Sequence, residues 1–218
     1  MEVTIQGPAG RLEALFDPLE GAAAAAVVCH PHPLHGGTMH NTVVFRTARA
    51  LRSAGVATLR FDFRGVGASE GTAGRRTSTP AQHDGAGGEE DDAAAALDWL
   101  AERCPGAALW AAGYSFGART VAALALRDAR IERLICIALP STLLGDLAIE
   151  RVAVPGYLLF AGEDRFGTLA TFRAARSELP PSLELDEIEG TDHFFRRRTP
   201  ELEARVRAWA ERALEPSR

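Results

Sequence analysis

Gly113-Tyr114-Ser115-Phe116-Gly117 is the stretch whose reading decides the fold of this chain. It matches G-x-S-x-G, the pattern in which a serine sits on a sharp strand-to-helix turn with its hydroxyl lifted clear of the backbone. The demand for glycine is steric: a nucleophile in a strained backbone conformation leaves no room for side chains two residues to either side. Upstream, Ala107 to Ala112 is short and apolar and contains Trp110, as a buried strand would. Downstream, Ala118 to Arg127 predicts a helix. The pentapeptide alone does not distinguish an elbow from an ordinary glycine-rich turn. Strand, turn and helix in that order are the context that favours an exposed nucleophile.

The same alternation extends outward from the elbow. Residues 2–6 and 11–16 predict an opening pair of strands. The runs Ala23 to Cys29, Val56 to Phe61, Ile131 to Leu139, Gly156 to Ala161 and Leu183 to Ile188 predict five more. The alanines of the first run also suit a helix, but its proline-rich stop favours a strand. Helices are predicted over Thr42 to Ser53, stopped by Gly55, and over Glu89 to Glu102, with acidic residues in the first turn where the helix dipole favours them. Two more follow over Thr168 to Glu178 and Pro200 to Leu214, while Gly65 to Gly88 reads as a loop. Strands spaced by helices of this length imply an α/β fold, a mostly parallel sheet with helices on both faces. Ligands then belong at the carboxyl ends of the strands. With 218 residues and no internal repeat, a single domain over 1–218 is expected.

Composition narrows the function classes. The net charge is -5 and the positive charges are scattered, so the basic stripe of a nucleic-acid binder is absent. All 24 basic residues are Arg, which excludes a Walker A lysine and a Schiff-base lysine. The N-terminal Met1-Glu2-Val3-Thr4 lacks the regions of a signal peptide. The Ala22 to Val28 run is far short of the ~20 residues that span a bilayer, so no membrane partner is expected. Cys29, Cys104 and Cys136 are widely spaced, as buried free thiols of a reducing compartment would be. A cytoplasmic protein is the expectation, with monomer and homodimer both open.

A serine hydroxyl needs a base to take its proton, and the base needs an acid to orient it and stabilise its cation. His193 stands in Gly190-Thr191-Asp192-His193-Phe194-Phe195, between the last strand and the last helix. Asp164, in Gly162-Glu163-Asp164-Arg165, lies just past the strand ending at Ala161. Glu163 is the adjacent alternative and Asp146 a fallback, while Asp192 is too close in sequence to turn back onto the ring. Carbonyl chemistry also needs donors for an oxyanion. Phe116 N–H, opening the helix after Ser115, is one candidate. The second should come from His30-Pro31-His32-Pro33-Leu34-His35-Gly36-Gly37, after the Ala23 to Cys29 strand. Prolines carry no N–H, which leaves His32 as the choice and Leu34 as the alternative.

Two other patterns invite sharper readings. Four of the six histidines fall between 30 and 40, but their spacing fits no zinc motif and no Cys or acidic ligand accompanies them, so no metal site is expected. His30 is expected to pack under its loop and bond to the backbone. Gly65-Val66-Gly67-Ala68-Ser69-Glu70-Gly71 fails the G-x-G-x-x-G spacing at Glu70, so no dinucleotide cofactor is implied. It reads as a tight loop held by a local Asp62–Arg64 ion pair.

Taken together, these motifs resemble the α/β-hydrolase superfamily, and within it the small cap-less bacterial carboxylesterases and dienelactone-hydrolase-like proteins. The resemblance rests on His30-Pro31-His32-Pro33-Leu34 with Gly36-Gly37 and Asn41, on Arg60-Phe61-Asp62-Phe63-Arg64-Gly65-Val66-Gly67 with Ser69 and Gly71, and on Glu90-Asp91-Asp92 leading to Trp99. The Ser115 elbow and His193-Phe194-Phe195 complete it, so it runs through nearly the whole chain. It implies a serine hydrolase cleaving carboxylic esters, of small or acyl-chain substrates, through an acyl-enzyme, with Ser115, Asp164 and His193 in the superfamily's chain order. A thioesterase, peptidase or acyltransferase would use the same groups. A binding protein on an idle hydrolase scaffold is the alternative of a different class. Dienelactone hydrolase itself uses Cys at the elbow, whereas this chain has Ser115. In the family the acid stands three residues after the strand-ending glycine, whereas Asp164 follows Gly162 by two, which keeps Glu163 in play. Only Pro140 to Pro155 separate the two strands where a cap would be inserted, so an open site covered by loops 30–41, 71–88 and 140–153 is expected.

Overall fold

The computed structural model describes residues 1–73, 88–145, 147–176 and 178–215. Eight strands form one sheet in the order β1-β2-β4-β3-β5-β6-β7-β8. Strands β1 (Glu2–Gly7) and β2 (Gly10–Asp17) are an antiparallel hairpin at one edge, and β2 also pairs antiparallel with β4 (Val56–Phe61). The other pairs are parallel: β3 (Ala24–Cys29) lies between β4 and β5 (Ala108–Tyr114), followed by β6 (Ile131–Ile137), β7 (Gly156–Ala161) and β8 (Leu183–Ile188).

The alanine-rich β3 is a strand because both of its faces are covered. All six residues are buried, and their side chains alternate between two separate cores. Ala25, Val27 and Cys29 face α2 (Glu89–Arg103) and α3 (Phe116–Ala125); Ala24, Ala26 and Val28 face α1 (Thr42–Ala54) and the layer completed by α5 (Thr199–Leu214). Period-2 alternation between two apolar layers is what a central parallel strand requires. Helix α1 starts where Asn41 Oδ1 accepts the Val43 N–H at 2.9 Å and stops at Gly55, whose φ of 101° suits glycine.

Sequence and structure differ mainly at element ends. The strand before the elbow runs on to Tyr114, and α3 begins at Phe116 rather than Ala118, so Ser115 alone makes the turn. Helix α4 spans only Leu169–Ala175, with the Thr168 side chain accepting the Thr171 N–H at its start. Between β6 and β7 the described residues form only the 3₁₀ turns Ser141–Leu143 and Ile149–Arg151, so no cap domain stands there. Asp146 and residues 74–87 of the second covering loop lie outside the described residues.

The strand order reverses direction between β3 and β5, since β4 lies on one side of β3 and the later strands add on the other. Pairing of Cys29 with Gly113 sets the residues after β3 beside the elbow. Pairing of Ala161 with Ile188 sets the loops after β7 and β8 side by side. The carboxyl ends of β3 and β5 thus form a topological switch point, where α/β sheets bind ligands, and the loops after β7 and β8 leave the same edge of the sheet.

Candidate active site

Ser115 has φ 56° and ψ −115°, a strained conformation for a residue with a side chain. The flanking glycines are there because nothing larger fits. A Cβ on Gly113 would overlap the Gly117 carbonyl, and one on Gly117 would overlap the Cys29 and His30 carbonyls. The second contact has a consequence: the first turn of α3 passes directly over the end of β3. That brings the Phe116 N–H, a first-turn donor with no acceptor inside its own helix, beside the loop that follows Cys29.

Ser115, His193 and Asp164 meet in one hydrogen-bonded chain. The Ser115 Oγ to His193 Nε2 distance is 2.9 Å, and His193 Nδ1 lies 2.6 Å from Asp164 Oδ2. A carboxylate can only accept, so Nδ1 carries the proton and Nε2 is left to receive the serine hydroxyl's. Asp164 is 5% exposed, and its Oδ1 accepts the Phe166 N–H at 2.8 Å. Glu163 is exposed instead, its backbone N–H held by the Thr191 carbonyl at 2.9 Å. Asp192 turns the other way, accepting the N–H groups of Phe194 and Arg196 and pairing with the Arg196 guanidinium. Of the three nearby carboxylates described, Asp164 is the one that faces the ring.

The imidazole is enclosed. The rings of Phe166, Tyr114 and Phe194 stand 4.8, 5.3 and 5.5 Å from it, and His193 is 6% exposed. The Tyr114 hydroxyl donates to the His193 carbonyl at 2.9 Å and fixes the backbone from below. Tyr114 and Phe166 were not foreseen as site residues. Tyr114 is next to the serine in sequence, but nothing local says its hydroxyl reaches a residue 79 positions on.

The loop after β3 is clamped at two points. Buried His30 has its Nδ1 2.6 Å from the Pro31 carbonyl, and its Nε2 accepts the Phe63 N–H at 3.0 Å. Burial lowers its pKa to about 4, opposed by the Pro31 bond, so the ring is neutral with its proton on Nδ1. Further along, Met39 donates its N–H to Asp62 Oδ1 at 2.6 Å and its carbonyl accepts from Arg60 Nη1 at 3.1 Å. Within the loop, His32 packs its ring 4.8 Å from that of Phe116. The Leu34 N–H donates to His32 Nδ1 at 3.2 Å, and Leu34 is 63% exposed, so that N–H is already engaged within the loop. The His30 reading holds, and among the described residues no group of three or more His, Cys, Asp or Glu is placed to hold a metal ion.

The expected Asp62–Arg64 pair does not form. Asp62 is drawn inward to Met39, and burial pushes its carboxyl above the usual range. Arg64 reaches instead to Asp92 in the first turn of α2, with bonds of 2.9 and 2.7 Å to its two oxygens. Ser69 and Glu70 tie the glycine loop to β2, through the Glu13 N–H and a 2.7 Å Arg11–Glu70 ion pair. The loop is held by elements far away in sequence, which a local reading does not see.

With this geometry in place, similarity to known proteins is specific. The serine aminopeptidase S33 family model matches residues 23–143. An uncharacterized protein of Rickettsia prowazekii is 32% identical over 211 residues, covering 92% of this chain and 84% of its own. Among solved structures, an alpha-beta serine hydrolase homologue from Coxiella burnetii superposes with a TM-score of 0.83 at 33% identity, covering 99% of this chain and 97% of its own. A serine hydrolase without a lid from Xanthomonas campestris gives 0.83 at 31% identity, covering 100% and 96%. The chain belongs to the serine aminopeptidase S33 family and is an enzyme, a lidless serine hydrolase of the α/β-hydrolase fold. No described helix is long and apolar enough to cross a membrane.

Proposed function

We propose that this enzyme cleaves small carboxylic esters through an acyl-enzyme formed on Ser115, with His193 as general base and acid and Asp164 as the orienting acid. The observation that carries the reading is the unbroken chain from Ser115 Oγ through His193 to Asp164, at 2.9 and 2.6 Å. As Oγ attacks the ester carbonyl, its proton passes to Nε2 and Asp164 stabilises the resulting imidazolium. The N–H groups of Phe116 and His32 hold the oxyanion, Leu34 being set aside because its own N–H is bonded to His32. Nε2 then protonates the leaving alkoxide and the alcohol departs. Water attacks the acyl-enzyme, gives its proton to Nε2, and collapse of the second tetrahedral species returns that proton to Oγ and frees the acid.

Esters are favoured over amides because an alkoxide needs less help to leave than an amide nitrogen, which must be protonated before it can depart. The chain acts as one domain, and its three free cysteines suit the reducing cytoplasm. A fluorophosphonate probe should label Ser115 in the folded enzyme, and Ser115→Ala should abolish both labelling and turnover of a short 4-nitrophenyl ester. A folded wild type that neither labels nor turns over would leave the scaffold idle and sink the reading.

A further inference from the structure

The acid of the proposed relay is fixed at both of its oxygens. Asp164 Oδ2 faces His193 Nδ1 at 2.6 Å, and Oδ1 accepts the Phe166 N–H at 2.8 Å. A carboxylate bonded to an imidazole through one oxygen can pivot about that bond unless the other oxygen is held. The Phe166 peptide therefore sets the plane in which Asp164 meets the ring. Within the turn, the Gly167 N–H donates to the Asp164 carbonyl at 3.2 Å. That bond shapes the turn from inside, but it does not place the Phe166 peptide against the rest of the molecule.

An outside hold comes from the crossover between β6 and β7, the place where a cap would be inserted. Thr142, in the 3₁₀ turn Ser141–Leu143, donates twice to the Phe166 carbonyl, through its N–H at 3.1 Å and through its hydroxyl at 2.8 Å. The neighbouring Ser141 lies so close to Gly167 that a Cβ there would overlap the Ser141 Oγ, and Gly167 has φ 147°, so only glycine lets the two segments meet. The crossover has a firm base: Leu144, Leu147, Ile149 and Val152 are buried in the same core as Phe160 of β7 and Phe172 of α4. Thr142 itself is exposed, so packing does not account for its hydroxyl. An exposed hydrogen bond adds little to stability, because water offers the same groups a partner; what it adds here is a fixed geometry.

We infer that Thr142 is a positioning residue for the hydrolase reaction: its two bonds to the Phe166 carbonyl hold the peptide whose N–H orients the Asp164 carboxylate towards His193. The inference rests on the hydrolase reading above and extends its machinery to the crossover. Thr142 touches none of the reacting atoms and acts through the acid. The short segment that stands where a cap would be inserted thus serves the chemistry by bracing the acid's turn.

The test is Thr142→Val, which keeps the side chain's shape and the backbone N–H and removes the hydroxyl donor. On a short 4-nitrophenyl ester kcat should fall about three- to tenfold while KM stays within about twofold, because small errors in a positioned group are magnified in the rate. Thr142→Ser returns the hydroxyl and should recover most of the rate. The decisive arm is the Asp164→Ala background: with the carboxylate gone, Thr142→Val should change the remaining activity by less than about twofold. A loss caused by general destabilisation would persist in that background. An unchanged kcat, a loss confined to KM, no recovery with Thr142→Ser, or an equal loss with and without Asp164 each overturns the positioning role while the hydrolase reading stands. Absence of Ser115-dependent turnover in the wild type removes that reading and the role with it.

Discussion

His30 and His193 stand at the same end of the sheet, one after β3 and the other after β8, and both are buried with both ring nitrogens engaged. Their partners differ in kind. His30 bonds to two backbone groups, a carbonyl and an N–H, neither of which can gain or lose a proton near neutrality. His193 bonds to a carboxylate and a hydroxyl. A ring between two peptide groups is a strut whose protonation would break a bond. A ring between Asp164 and Ser115 keeps a partner in either protonation state, as the relay proposed above requires. The comparison shows that burial and full hydrogen bonding do not mark a histidine as structural; the chemistry of its two partners does.

The sharpest way to break this contrast is to remove each ring. His193→Ala should cut kcat by on the order of 10⁶-fold, as loss of a triad base does elsewhere, with the denaturation midpoint little changed. Asp164→Ala should cost less, roughly 10³–10⁴-fold, because the base remains in a wrong tautomer or orientation; Glu163→Ala should leave kcat within a few-fold. Steady-state kinetics on one ester decide this. A large loss on Glu163→Ala and a small one on Asp164→Ala would mean that the acid has been misassigned.

How much of this was legible in the sequence follows from the range over which each feature is decided. The elbow, the strand before it, and the placing of an acidic pair at 163–164 and a histidine at 193 after two later strands were readable in the sequence. So was β3, whose alanines admit a helix until Pro31 and Pro33 forbid its continuation. The choice between Asp164 and Glu163 was not, because adjacent residues at a strand end point opposite ways. Only the Glu163 N–H bond to the Thr191 carbonyl and the Phe166 N–H bond to Asp164 show which turns inward. The Arg64–Asp92 pair and the Tyr114 hydroxyl bond join residues 28 and 79 positions apart. No spacing rule reaches across such separations.

A second effect, smaller than loss of the base, separates the two histidines by pH. Burial holds His30 at a pKa of about 4, below the ~6.5 of an unfolded histidine. Between those values the unfolded chain binds the extra proton, so stability is full above about pH 6.5 and falls as pH drops towards 4. The loss is roughly 3 kcal/mol. Asp62, 3.7 Å from Nε2 and itself raised by burial, titrates in the opposite sense, gaining on protonation in the folded state. It is present in both wild type and His30→Asn, so to first order the difference between their urea midpoints across pH 4 to 7 isolates His30. The wild-type curve should fall more steeply on acidification. Parallel curves would mean that His30 is not the buried neutral strut described here.

The smallest expected effect concerns what holds each histidine's own backbone. His30 uses its ring to hold the loop, whereas the ring of His193 is committed to Ser115 and Asp164, so its main chain must be held by another residue. Tyr114 does this: its buried hydroxyl donates to the His193 carbonyl at 2.9 Å, and burial raises the phenol's pKa, so it remains a donor. Tyr114→Phe keeps the ring packing and removes one hydrogen bond, for a loss of about 1 kcal/mol in stability. If the bond also sets the height of Nε2 over Ser115, kcat should fall by roughly three- to tenfold, because small errors in a positioned base are magnified in the rate. Thermal unfolding and kcat measured on the same variant separate the two consequences. A lowered midpoint with kcat unchanged would reduce Tyr114 to a packing residue and leave His193 held by the Phe195 N–H bond to Asp192 and the burial of Phe195 alone.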